Sequence, residues 1–147
     1  MDLYWLGHAS FRLRSGNSSL IMDPLSGGTG LRMPAQHTQA GVVTLSGAGA
    51  DGDSTGDVRP AQDDRPPVVL KGPGEYEAAG LHIRGVRSVR VGSSEEMPLW
   101  NTMFVIESEG VSVCHLGDPA HLLVAREAEE LSSPHVLLLP VGSKTGL

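Results

Sequence analysis

The 147-residue chain predicts an α+β fold, two β-sheets with helical structure outside them, on three observations. Short alternating or fully apolar runs recur along most of its length, the periodicity of half-buried and buried strands. Turn residues separate several neighbouring runs closely enough to close antiparallel hairpins. Only residues 121–131 carry an apolar pattern at helical spacing, and they lead into an apolar strand.

The first three strands fall at residues 3–6, 10–13 and 19–22, and Ser15-Gly16-Asn17-Ser18 supplies a tight turn between the second and third. Residues 42–45, Val-Val-Thr-Leu, form the short apolar run of a buried strand. Further strands are expected at 68–70, 81–83, 102–106 and 111–114, the last two joined through Glu109-Gly110 as a second hairpin. The helix is expected at 121–131, with Leu123, Ala128 and Leu131 inward and Asp118 ahead of its first turn. It feeds a strand at 136–139, apolar enough to be buried on both faces. Residues 27–41 and 47–67 are rich in Gly, Ala, Asp, Ser and Pro, carry no period, and are expected to be loops.

Composition narrows the function classes. A net charge of −6 with only two lysines argues against sequence-independent nucleic-acid binding, which needs clustered cations to displace counterions. No apolar run approaches the roughly 20 residues of a membrane-spanning helix, and the start, Met1-Asp2-Leu3-Tyr4-Trp5, lacks the basic and apolar regions of a signal peptide. The single cysteine, Cys114, lies in a strand-like run and is expected to be a buried, inert thiol in a reducing cytoplasm. No Gly-x-Ser-x-Gly nucleophile elbow is present.

Gly47, Gly49 and Gly52 match Gly-x-Gly-x-x-Gly after a strand, the spacing that lets backbone amides approach a pyrophosphate. Dinucleotide binding also needs a helix next, for its N-terminal dipole. Residues 53–60, Asp-Ser-Thr-Gly-Asp-Val-Arg-Pro, have no helical period, and the next strand runs into Lys71 instead of a ribose-binding acid.

Seven segments carry a different signal: residues 3–11 (Leu-Tyr-Trp-Leu-Gly-His-Ala-Ser-Phe), 20–24 (Leu-Ile-Met-Asp-Pro), 42–46 (Val-Val-Thr-Leu-Ser), 72–77 (Gly-Pro-Gly-Glu-Tyr-Glu), 101–107 (Asn-Thr-Met-Phe-Val-Ile-Glu), 114–118 (Cys-His-Leu-Gly-Asp) and 138–142 (Leu-Leu-Pro-Val-Gly). In this order the chain resembles the metallo-β-lactamase superfamily, in particular the small metal-dependent hydrolases that include ascorbate-phosphate lactonases. The resemblance implies one domain, 1–147, an αββα sandwich of two similar halves, with loops 27–41 and 47–67 framing the cleft. It also implies that the family's last elements lie beyond residue 147, so that the second half is incomplete.

The family's His-x-His-x-Asp-His, which holds two divalent metals, aligns with Gly47-Ala48-Gly49-Ala50-Asp51-Gly52, leaving Asp51 of the four ligands. A later family histidine aligns with Arg90, whose fixed charge repels a cation, and the bridging aspartate matches Asp118. Glycine offers no donor, whereas a catalytic zinc takes three protein ligands and an open position. Two carboxylates suit weak magnesium or calcium contact better than zinc.

The histidines are weighed one by one. His8 and Asp23 match family residues near the cleft and are expected to be a hydrogen-bonded pair bracing its floor. His115 and His121 flank Asp118, and their spacing places one at a strand end and the other at a helix start. His37 and His82 read as surface residues and His135 as the mouth of a strand. The expectation is a degenerate metallo-β-lactamase-fold protein without metal-dependent hydrolysis, a binding or interaction module with no resident cofactor and room for a small-molecule ligand. The alternative is a metal-dependent hydrolase whose site is rebuilt around Asp51, Asp118, His115 and His121, using one or two divalent ions, zinc, manganese or magnesium. A homo-oligomer is expected in either case, to cover an apolar strand at 136–139.

Overall fold

The computed structural model describes residues 1–25, 32–47, 55, 57–62, 64–89, 94 and 99–141. Two five-stranded sheets form its body. The first contains β1 (Asp2–Gly7), β2 (Ser10–Ser15), β3 (Ser18–Met22), β5 (Val42–Leu45) and β7 (Val68–Lys71), side by side in that order. A two-stranded parallel pair, β4 (Gln39–Ala40) with β6 (Arg59–Pro60), lies in the long connections. The second sheet runs β12 (Val136–Leu138), β11 (Val111–His115), β10 (Trp100–Ser108), β9 (Leu81–Val89), β8 (Gly74–Ala78). Each sheet begins as antiparallel hairpins and then adds parallel strands: β5 and β7 in the first, β12 in the second. The repeat of that pattern agrees with two similar halves.

The packing follows from the period of two along the strands. Leu13, Leu20, Met22, Val42 and Leu70 of the first sheet meet Leu81, Ile83, Phe104, Ile106 and Val113 of the second in one core. The opposite face of the second sheet, Val86, Met103, Val105 and Cys114, is closed by Leu123 and Leu131 around the helix α1 (Ala125–Leu131). The outer face of the first sheet, Ile21, Val43 and Leu45, is covered by Met33 and Val58 from the connecting segments instead. Among the described residues α1 is the only α-helix, so a helical layer is seen on one side. None of the described helices is long and apolar enough to cross a membrane.

Most strand expectations hold at the centres of the elements, but β8 was not expected, and β4 and β6 lie within the stretches 27–41 and 47–67 expected to be loops. β12, expected over 136–139 and buried on both faces, ends at Leu138 and leaves Val136 and Leu137 exposed, because no described element covers that edge. β9 and β10 run nine residues each, where residues 81–83 and 102–106 were expected. Gly85 interrupts the apolar alternation of β9, yet the fold needs it: a Cβ there would stand 2.6 Å from the Gly72 carbonyl oxygen of the adjacent turn. The helix begins at Ala125 rather than 121. Glu127 accepts the Val124 N–H at 3.1 Å, which starts the helix, while His121 Nδ1 donates to the Leu122 carbonyl at 2.8 Å and holds a bend. Ala128, expected inward, is exposed, and Ser132 closes the helix in the left-handed region.

Candidate functional site

Asp23 directly follows β3, Ser46 follows β5, and Gly117 and Asp118 follow β11. Parallel strands expose their carboxyl ends to ligands, and a cleft is expected there. Asp23 has φ +42, donates its backbone N–H to the Thr44 carbonyl at 2.9 Å, and accepts the Ser46 N–H on Oδ1 at 2.7 Å. The carboxylate therefore ties the end of β3 to the end of β5.

His115 crosses from the second sheet to the first. Only 2% exposed, it donates from Nε2 to the Ala9 carbonyl at 2.9 Å. A carbonyl can only accept, so Nε2 carries the proton and Nδ1 is left facing the Ser46 hydroxyl at 3.4 Å and Asp23 Oδ2 at 3.8 Å. Phe11 presents its edge to the ring, 5.8 Å between centroids. Both nitrogens point into the protein, and the ring joins the strand ends rather than lining open space.

Asn101 does the same for the neighbouring strands. Its fully buried amide donates to Ser88 Oγ at 3.0 Å and to the Leu116 carbonyl at 2.7 Å, and its Oδ1 accepts the Asp118 N–H at 3.0 Å. Gly117 makes the turn possible with φ +68. A Cβ on it would lie 2.5 Å from Ser46 Cβ, 2.7 Å from Ser46 Oγ and closer still to Asn101 Oδ1. Gly47 bridges to Asn101 in an antiparallel pair, and the Thr102 N–H donates to the Ser46 carbonyl at 2.9 Å, so the first glycine of the motif lies in backbone register against β10.

Several expectations change here. His8 does not pair with Asp23. It is exposed, has φ +50, and accepts the adjacent Ala9 N–H on its own Nδ1 at 2.8 Å, so Asp23 turns to Ser46 and His115 instead. His121 lies beside Glu127, 3.9 Å away, and His115 is sealed inward, so the two do not converge with Asp118 on a cation. His37 is half-buried and stacks on Tyr4 at 4.8 Å, a contact its surroundings in sequence did not announce. Asp51, Gly49, Gly52 and Arg90 lie outside the described residues. Cys114 is buried and its thiol is pushed up to about 12 by that burial, which fits an inert side chain. Asn101 and Ser46 were not singled out beforehand. The available signal was a polar residue opening or closing an otherwise apolar strand.

The donor chemistry does not fit an imidazole-bound pair of metals. Gly47, Gly49 and Gly52 bring no side-chain donors, and the nitrogens of His115 are committed within the protein. Among the described residues no group of three or more His, Cys, Asp or Glu side chains is placed to hold an ion.

A family model described as a beta-lactamase superfamily domain matches residues 2–146. A protein of Archaeoglobus fulgidus named UPF0173 metal-dependent hydrolase is 25% identical over 168 residues, which cover 97% of this chain and 71% of that one. One of Agrobacterium fabrum with the same description is 23% identical over 175 residues, 98% of this chain and 74% of its own. Among solved structures, a candidate Zn-dependent hydrolase of the metallo-beta-lactamase superfamily from Thermotoga maritima matches with a TM-score of 0.67 and 30% identity over 97% of this chain. The chain spans 62% of that protein. A candidate metal-dependent hydrolase from Parabacteroides distasonis, TM-score 0.72 at 15% identity over 99% of this chain and 71% of its own, is alike in fold. The relatives' names favour the hydrolase alternative over the non-hydrolytic expectation, and they make divalent metals a reasonable requirement of any activity.

Proposed function

Because this chain belongs to the metallo-β-lactamase superfamily, we propose that it uses the superfamily's cleft to bind a small molecule and has given up hydrolysis by a metal pair. One observation carries this reading: the first motif position is Gly47, which offers only backbone, while His115 directs both ring nitrogens inward. Without imidazoles to hold a cation, no bound water is made acidic enough to attack at neutral pH. The polar framework of Asp23, Ser46, His115 and Asn101 then shapes a binding cleft. The apolar cover that Met33 and Val58 give the outer face of the first sheet supports reading the fold as an αββα sandwich.

The second reading is a metal-dependent hydrolase with a rebuilt site. Its support is the naming of the relatives together with Asp118, whose turn is held by Asn101 and which could serve with Asp51 as a carboxylate ligand. His121 is the imidazole of that set with a solvent-facing ring, since the ring nitrogens of His115 face the Ala9 carbonyl and Ser46. Elemental analysis of protein purified without chelator or nickel resin separates the two. Substoichiometric zinc and no lactone or β-lactam turnover are expected. Stoichiometric zinc, with turnover abolished by Asp118→Ala, would establish the hydrolase.

The protein is further proposed to work in a reducing compartment such as the cytoplasm, as a homodimer. Among the described residues β12 is the outer strand of its sheet, its own Leu137 is exposed (43%), and Val141 just after it is exposed (81%). Such an edge is a template for another strand. Light scattering is expected to give a dimer that Leu137→Asp converts to monomer. A monomeric parent protein would remove the proposal.

A further inference from the structure

A second polar cleft, of about 260 Å³, lies at the other end of the first sheet. Its walls include Arg12, Arg14, Asn17, Ser18, Gln39 and Gln62. Arg12 and Arg14 are two residues apart on β2, so they project from the same face with roughly 7 Å between their Cα atoms. Arg12 Nε donates to the Gln39 carbonyl at 3.4 Å, which anchors one guanidinium edge and leaves its remaining N–H groups to the cleft. The ion pairs of the described residues join Met1, His82, His115, His121 and Arg126 to acids, and neither Arg12 nor Arg14 takes part. Asp2 faces Arg14 across the strand pair and Tyr4 faces Arg12, without an ion pair to either. Two neighbouring guanidinium groups with no ion pair, and with Asp2 the one acid in register with either of them, concentrate positive charge locally in a chain of net charge −6.

We propose that this cleft is an anion site that takes the phosphate group of a small molecule. A guanidinium presents paired N–H donors that match phosphate oxygens, and two of them match a dianion better than the single charge of a carboxylate. The Asn17 and Gln62 amides supply neutral donors at the rim. Burial first and then the neighbouring Arg14 lower the Arg12 pKa, and the negative charge of a bound dianion would oppose that lowering. The site is separate from the strand-end cleft. Asn17 and Ser18 of this cleft lie at the start of β3 and Arg14 is in register with Ser19, whereas Asp23 follows the last residue of β3; Arg12, in register with Ile21, is turned to the Gln39 carbonyl.

The test is titration of the full chain with inorganic phosphate and with phenyl phosphate, followed by calorimetry and by backbone amide shifts. Acetate serves as the carboxylate control and sodium chloride as the ionic-strength control. Millimolar or tighter phosphate binding is expected, centred on the amides of Arg12, Arg14 and Asn17. The double variant Arg12→Gln, Arg14→Gln should weaken it at least about tenfold, as loss of charge-assisted hydrogen bonds implies. Removing the exposed helix cation with Arg126→Gln should leave it unchanged. The proposal fails if phosphate produces no shifts, if shifts centre elsewhere, if acetate binds equally well, or if binding survives the double variant. Shift mapping on the unaltered protein decides the matter even should the double variant misfold. Binding of phenyl phosphate more tightly than phosphate identifies an organic phosphate as the ligand, and equal binding identifies the free anion.

Discussion

The two ends of β3 solve opposite problems. At its carboxyl end Asp23, Ser46, His115 and Asn101 are buried or half-buried, and the protein itself supplies their partners. At its amino end Arg12 and Arg14 border an open cleft without a carboxylate partner. Buried polar groups cost several kcal/mol when unmatched, so the closed end must be complete to exist. A solvated guanidinium carries little such cost, so the open end can remain unpaired until an anion arrives. The difference separates polar groups that hold a shape through their mutual hydrogen bonds from polar groups whose own donors are still open to a ligand.

The largest effect should come from breaking the closed end. Asn101→Leu leaves the Asp118 N–H, the Leu116 carbonyl and Ser88 Oγ without their amide partner. A loss of about 3 kcal/mol is expected in denaturant unfolding. An unchanged midpoint would mean that the network contributes nothing to stability.

Adding ligands to the cleft sharpens the comparison from the other side. Gly47→His, Gly49→His and Gly52→His together should tighten zinc binding by about a hundredfold, because three imidazoles beside Asp51 approach a complete zinc site. Each single replacement should change affinity little. Competition with a chromogenic chelator reads both outcomes, and a triple variant no tighter than its parent would refute the alignment of these positions.

The closed end also contains Cys114, next to His115 on β11. Its folded pKa lies at about 12 against 9.0 for the free thiol. The folded state thus retains its proton while the unfolded state loses it, so stability is fully present below about pH 9 and declines toward pH 12. The slope from this one group is at most about 1.4 kcal/mol per pH unit. Comparison with Cys114→Val across that window isolates it, and parallel curves would show that the thiol does not contribute.

The smallest effect belongs to the open end. Arg14→Gln should change unfolding free energy by no more than about 0.5 kcal/mol in phosphate-free buffer, since Arg14 is exposed and unpaired. A loss comparable to that of Asn101→Leu would erase the distinction between the two ends.

Much of the scaffold could be read from local pattern. Val42–Leu45 appears where the apolar run places it, and the 15–18 turn joins β2 to β3 as expected, with Gly16 at φ +56. The candidate site was legible only in part. Asp23, His115 and Asp118 stood out by type and by family likeness, yet the expected partner of Asp23 was His8, and the actual partners are Ser46 and His115. Nothing local distinguishes those choices, because residue 115 lies 92 positions from residue 23 and meets it only when the two sheets close. Gly117 shows the same limit. Its φ of +68 is a local preference that a glycine announces, but the crowding by Ser46 and Asn101 that forbids a side chain there comes from two distant strands.

Period-two alternation, turn chemistry and the absence of imidazoles at 47, 49 and 52 are properties of the amino-acid sequence alone. They determine the two-sheet fold and the lack of side-chain donors at those positions, since each rests on residue type and near neighbours. Which polar groups satisfy one another, and which two arginines are left facing solvent, only the tertiary structure decides. Hydrogen-bond partners must meet within about 3 Å, and strands distant in sequence come that close only after the sheets have packed.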